Sequence, residues 1–480
     1  MTPRATRSGA PRAAAFLFLA ASSMALAFPG TPCGGPADGA TEAAPKATLP
    51  EGPRVARAAL VADFEAWLSG MAMIHPEPMA RVDRAAYRRI VREIRASLTR
   101  TMSTREAWLL FARLAPTLND GHSGVLPADF RARMRAHLAA GGGFFPLPVD
   151  IGRDGDLRVA PGADAEGIAV GERIASINGI PGRDLARAML ARVEGDTPRF
   201  RRALASRRFA FMFWMLHGDT GRYLVGLDGP GCRRRVALEG ATRFPASLED
   251  PPFRHAVFDG GIGYIEATSF GGEHADAFAA FAREAFASFR EANIRALLID
   301  VRVNVGGDDA LWQAGLMEYI TRRPYIHVSR YARRVTAGNV EPGEAIGEVR
   351  RRDHDRRITP AVDNPLRFEG PVYVLTGPLT YSAAIQFVVA AQDFAIATIV
   401  GEETAGLSCQ TGRVTPIALP HTGLSAFTPA MAFTRPSGRG CRRGVVPDIA
   451  VAVDPLAPEA TLQAALERIR ERTGDGAVPR

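Results

Sequence analysis

The chain has 480 residues, 46% of them hydrophobic, and a formal net charge of +8. That length exceeds one ordinary core and predicts two or three domains. The arginines are scattered rather than gathered on one face, apart from a mixed-sign run at residues 350–357 that reads as a solvated loop, and this excludes the usual profile of a nucleic-acid-binding protein.

Residues 1–27 read as a targeting segment. Arg4, Arg7 and Arg12 precede a short apolar core at 13–26, and Ala25-Leu26-Ala27 is a small-residue cleavage signal. The apolar core falls short of the roughly 20 residues of a membrane span. Export to the periplasm or outside the cell is therefore expected, with Phe28 as the mature N-terminus. Residues 28–53 are rich in Gly, Pro and Ala and read as a linker. Residues 54–118 are helical by period: Val61, Phe64, Trp67 and Leu68, then Tyr87, Ile90, Val91 and Ile94, share faces. This segment ends in Leu118-Asn119-Asp120-Gly121-His122, where Asn, Asp and Gly make a turn that carries a titratable histidine.

Farther on, Gly167 to Ile180 holds Glu172-Arg173-Ile174 and Ile177-Asn178-Gly179, with Asn-Gly as a hairpin turn. This stretch resembles the strand-turn-strand of PDZ domains, which capture extended peptide ends by strand addition. Gly141 to Phe145 is the one candidate for an end-capturing loop and reads equally as a linker. Strand patterns follow at 263–266, 296–301, 372–375 and 396–400. Helical patterns lie at 276–290, where Phe278, Phe281, Phe286 and Phe289 form a core stripe, at 308–320 and at 457–472. Residues 321–369 are polar and Arg-rich and read as a long loop. Gly306-Gly307 after a strand lets backbone approach a ligand closely, without the G-x-G-x-x-G of a dinucleotide site. Ser382 opens the apolar segment 383–391, at a strand-to-helix junction. The helix N-terminus there offers free N–H groups to a developing oxyanion, while a plain N-cap serine is the ordinary alternative.

Three motifs stand in order: Asp300, Arg302, Asn304, Gly306 and Gly307; Thr380, Ser382, Ala383 and Ala384; and Gly444-Val445-Val446-Pro447-Asp448. Together they resemble the C-terminal-processing (tail-specific) and tricorn-core serine peptidases. Leu118, Asp120, Gly121 and His122 match the L-x-D-G-H-T of the tricorn-like branch. The resemblance implies a multi-domain α/β protein: an N-terminal helical domain at 54–137, a PDZ-like β-rich module at 144–245 and a crotonase-like α/β (ββα superhelix) catalytic core at 256–455, with a C-terminal helix and tail at 456–480. It implies a serine endopeptidase acting on unfolded or extended polypeptides. In that reading Ser382 is the nucleophile, His122 the general base, and the backbone N–H groups of Gly306, Gly307 and Ala383 the oxyanion hole. His75, in Ile74-His75-Pro76, is read as structural.

The departures are informative. The tail-specific branch uses a lysine 25 positions after its serine, where this chain has Leu407, and the only lysine is Lys46 in the linker, so a Ser–Lys dyad is excluded. Cys441-Arg442-Arg443 stands where the tricorn branch has its glutamate. Glu402, Glu403 and Asp120 remain candidates for the third member, with Glu403 the first to try. No cofactor is expected, and no metal, since the nine histidines show no H-E-x-x-H spacing. The expected partner is a polypeptide substrate, with neither nucleic acid nor a stable membrane span. The alternative is a non-catalytic ligand-binding protein, because interphotoreceptor retinoid-binding repeats resemble this core. Of the four cysteines, Cys409 and Cys441 are expected to pair.

Overall fold

A computed structural model describes residues 47–163, 165–229, 232–243 and 252–474. The expected leader, most of the linker, Lys46 and the extreme C-terminal tail lie outside the described residues. The last part of the expected linker is not a free tether. The Thr48 N–H donates to Asp219 O (2.6 Å), and Glu51 accepts from Ser103 and Arg105. Among the described residues, no helix is long and apolar enough to cross a membrane.

The chain is a mixed α/β fold. Helices Arg57–Ile74, Arg84–Ser97 and Thr104–Phe111 open it. Asp83 caps the second by accepting from Ala85 and Ala86 N–H, and Ser103 with Glu106 forms a capping box on the third. A sheet of strands Val149–Ile151, Leu157–Val159, Arg173–Ile177, Arg222–Gly229 and Cys232–Glu239 follows. Asn178 (φ 51°) and Gly179 (φ 79°) make the tight turn between Arg173–Ile177 and Ile180–Pro181. Helices Gly182–Leu190, Pro198–Arg207 and Phe209–His217 pack beside this sheet.

The central sheet orders its strands Phe253–Phe258, Ile262–Ala267, Ala296–Asp300, Val372–Thr376, Thr398–Gly401 and Ile449–Ala450. All are parallel except the first, an antiparallel edge. Its inner strands are buried on both faces, as continuous apolar runs require. Leu297, Ile299, Val374 and Ile399 join the large core, whereas Leu298, Tyr373, Leu375 and Val400 pack under the terminal helix Pro458–Thr473 on Leu462, Leu466 and Ile469.

A second, antiparallel sheet changes the sequence reading in two places. Residues 321–369 are not a simple loop: Arg330–Arg334 and Val349–Asp353 form a hairpin that pairs with Leu424–Thr434. The alternating apolar signal is weak there because the hairpin is edge-like and its arginines face acidic partners such as Glu341 and Glu344. Gly124–Pro127, expected within the N-terminal helical domain, pairs instead with residues 424–427 of Leu424–Thr434, on the same edge as the hairpin and opposite Thr411–Leu419. That pairing carries the His122 turn onto the core. Cys409 and Cys441 are disulfide-bonded.

Candidate active site

Ser382 stands where the Val372–Thr376 strand turns into the helix Ala383–Asp393. Its φ of 52° and ψ of −123° are strained for a residue with a Cβ. Hydrogen bonds hold the strain in place. The Tyr381 N–H donates to Asn304 O (2.9 Å), Thr380 Oγ1 donates to Val301 O (2.8 Å) and Gln410 Nε2 donates to Ser382 O (2.8 Å). The serine hydroxyl does not cap its own helix. It lies 3.0 Å from His122 Nε2 instead. Of the two roles open at this junction, the geometry departs from that of a plain N-cap.

The donors expected of the oxyanion hole divide. The Gly306 N–H donates to Asn304 Oδ1 (2.8 Å), so it is spent within the loop. Gly306 serves close approach instead: a Cβ there would stand 2.5 Å from Ser382 Cβ, and its φ is +99°. In the bridge to Phe270, Gly306 O accepts from the Phe270 N–H and the Asp308 N–H donates to Phe270 O, so the Gly307 N–H takes no part. The Ala383 N–H heads its helix and has no intrahelical acceptor. Gly307 and Ala383 are thus the available pair.

His122 sits two residues before the Gly124–Pro127 strand. Thr411 opens Thr411–Leu419 on the other side of Leu424–Thr434. The shared strand brings the two side chains together, with Thr411 Oγ1 at 3.2 Å from His122 Nδ1. Tyr381 stacks on the imidazole (4.8 Å between centroids) and places its hydroxyl 3.1 Å from the same Nδ1. Gly121 makes this possible, since a Cβ there would meet the Tyr381 hydroxyl at 2.6 Å.

Both hydroxyl protons are already committed. Thr411 donates to Asp120 Oδ1 (2.9 Å), and Tyr381 donates to Asp196 Oδ1 (2.9 Å). Each oxygen can therefore only accept from His122, which puts the imidazole proton on Nδ1 and leaves the Nε2 lone pair facing Ser382. Burial lowers the His122 pKa below its ordinary 6.5, against the pull of Asp120 and Asp196, so the ring is a neutral base at neutral pH. Burial alone would raise the Asp120 pKa. The hydrogen bond from His75, with the charges near it, outweighs burial and brings it down to about 2.

The remaining sequence candidates are accounted for. Glu403 is not at the histidine: its carboxylate holds Arg443 (2.7 Å) and the Gly444 N–H (3.0 Å). Glu402 pairs with Arg199. Asp120, the third candidate, reaches the imidazole only through Thr411. Asp300 is paired with Arg302 and accepts from Tyr264. Sequence reasoning missed Thr411, Tyr381 and Asp196. At Leu407, where a tail-specific lysine would stand, the backbone N–H donates to Asp196 Oδ2 (3.0 Å). The site uses that position to hold a carboxylate.

A cavity of about 740 Å³ is lined by Phe144, Phe145, Leu147, Arg199, Arg202 and Arg207, together with Asp300 and Pro378 of the central sheet and serine turn. Neither Ser382 nor His122 lines it. The Pro198–Arg207 helix joins the two places, because Phe200 packs on Tyr381 (4.3 Å) from the helix that carries those arginines.

Residues 261–451 match the model of peptidase family S41. Among solved structures, the chain is similar to mature CPAF (17% identity, TM-score 0.59, 88% of this chain and 99% of that chain). It is also similar to mature CPAF complexed with lactacystin (16% identity, TM-score 0.61, 87% of this chain and 99% of that chain). At these identities the likeness is one of fold. No curated protein matches the chain.

Proposed function

We propose that the chain, whose residues 261–451 match the model of peptidase family S41, is an exported serine endopeptidase of extended polypeptides working by a Ser382–His122 pair. The observation that carries this reading is the 3.0 Å contact between Ser382 Oγ and His122 Nε2. Ser382 Oγ attacks the scissile carbonyl and its proton passes to His122 Nε2. The N–H groups of Gly307 and Ala383 receive the oxyanion. The C–N bond then breaks as His122 returns the proton to the leaving amine. Water, deprotonated by the same nitrogen, releases the acyl group. The imidazolium formed on the way is stabilised by Asp120 and Asp196 through two hydroxyls, in place of a directly bonded acid.

The 144–245 segment fits the PDZ-like role, with Phe144 and Phe145 beside a cavity whose arginines would suit a polypeptide carboxyl end. The leader motif at 1–27 and the Cys409–Cys441 disulfide suit an oxidising compartment. The test is hydrolysis of an unstructured protein such as casein by the parent, Ser382→Ala, His122→Ala and the double variant. Loss in every variant supports the reading, and near-parent turnover in His122→Ala would remove the base. N-terminal sequencing of the mature protein checks export: Phe28 is expected, and an intact Met1 would refute it.

A further inference from the structure

His75 lies 45 residues before Asp120 in the chain and is as deeply buried as the pair it adjoins, at 5% exposure against 4% for Asp120 and 5% for His122. Its surroundings fix its protonation. The Glu77 backbone N–H donates to His75 Nδ1 (2.9 Å), so that nitrogen carries no proton. The ring proton is on Nε2, 3.1 Å from Asp120 Oδ2. His75 is thus a neutral donor aimed at the second oxygen of the carboxylate whose first oxygen accepts from Thr411 and from the His122 backbone N–H (2.8 Å). The backbone of His75 is itself clamped, since Arg334 Nε donates to His75 O (2.9 Å) and Nη2 to Pro76 O (3.1 Å). Arg334 belongs to the hairpin formed within residues 321–369.

We propose that His75 is a positioning residue of the peptidase: by donating to Asp120 it keeps that carboxylate charged and turned toward Thr411, and so sets the tautomer and basicity of His122. The reacting unit is then a continuous chain, Ser382–His122–Thr411–Asp120–His75, drawn from four separate stretches of sequence. This rests on the reading of Ser382 and His122 as nucleophile and base. A buried carboxylate that loses its donor is a less stable anion: desolvation disfavours its charged form and it takes up a proton more readily. Less negative charge at Asp120 gives less support to the His122 imidazolium. The other charged and titratable groups facing the pair are Glu77 and Arg81 from the segment after the first helix, Glu194 and Asp196 from the module and Tyr381 from the serine turn. They remain in place when His75 is changed.

Two variants separate positioning from packing. His75→Gln can keep an N–H near the Nε2 position, whereas His75→Leu fills the space and donates nothing. Turnover is measured per active site titrated with a fluorophosphonate, and the His122 midpoint is read from imidazole NMR of histidine-labelled protein. His75→Leu should lower kcat per titrated site by about tenfold or more, with KM unchanged and the His122 midpoint moved to lower pH. His75→Gln should stay near the parent in both. The proposal is overturned if His75→Leu keeps the parent kcat and the parent midpoint, whatever happens to its Tm, or if His75→Gln is as impaired as His75→Leu. Should the parent take no label on Ser382, the catalytic reading fails on its own terms. The NMR midpoint still decides whether His75 governs His122.

Discussion

The two sides of the site are built in different ways. The nucleophile side is made of backbone: a strained Ser382, the Gly306–Gly307 turn and the first N–H of a helix, all at the ends of two parallel strands of the central sheet. The base side is made of side chains. Asp120 with His122, Asp196, Tyr381 and Thr411 come from four separate segments: Gly124–Pro127 and Thr411–Leu419 flank one strand, Tyr381 comes from the serine turn, and the Gly121 and Leu407 N–H groups hold Asp196. A backbone-built half has little tolerance for added atoms. A side-chain-built half degrades by steps, because each hydroxyl has a parallel neighbour.

The sharpest way to break the comparison is at the contact between the halves. Ser382→Ala and His122→Ala should each lower kcat by roughly 10⁴-fold or more, and the double variant should be scarcely worse than either, because the two act as one unit. Casein hydrolysis with all three variants measures this, and additive losses would show two independent contributions. Next comes the backbone half alone. Gly306→Ala puts a Cβ 2.5 Å from Ser382 Cβ at a φ of +99°, so it should abolish fluorophosphonate labelling and lower Tm together. Gly307 is equally intolerant for a different reason: its Cβ would fall 1.9 Å from Phe270 O, a collision with the fold rather than with an arriving substrate.

Smaller effects are expected on the base half. Thr411→Val keeps the shape and removes the hydroxyl, leaving Asp120 Oδ1 short of a donor. A loss of about ten- to a hundredfold in kcat is expected from the roughly 1.5–3 kcal/mol of a charge-assisted hydrogen bond. Tyr381→Phe leaves the Thr411 route intact and should cost less, with the two losses combining more than additively. Equal, tiny effects in both variants would show that neither hydroxyl orients the ring. Smallest of all is Glu403→Gln. This half-exposed carboxylate pairs with an exposed arginine, so stability should change by about 1 kcal/mol or less, with parent kcat. A large kcat loss would return Glu403 to the catalytic unit.

How far each half could be read in the sequence follows from how it is built. Gly306, Gly307 and Ser382 lie in contiguous motifs, and a strand–turn–helix pattern places them without knowledge of the fold. His122 was legible because its turn has a local signature. Its partners were not. Thr411 and Asp196 sit in ordinary polar contexts, and only tertiary pairing gives them a role. Glu403 looked well placed because it follows a strand of the right unit, but Arg443 and the Gly444 N–H claim it. The hairpin within residues 321–369 was hidden for a related reason: its strands are held by Arg–Glu pairs and one edge partner, not by an alternating apolar face.

The most direct test of the side-chain-built base is the pH dependence of Ser382 labelling by a fluorophosphonate. Burial lowers the His122 pKa, so the neutral, active ring persists below pH 6.5, and the rate should fall only as pH drops through a single midpoint under that value. In His122→Ala the labelling should be lost at every pH. A label that forms on Ser382 at the parent rate without His122, or a midpoint well above 6.5, would contradict the account.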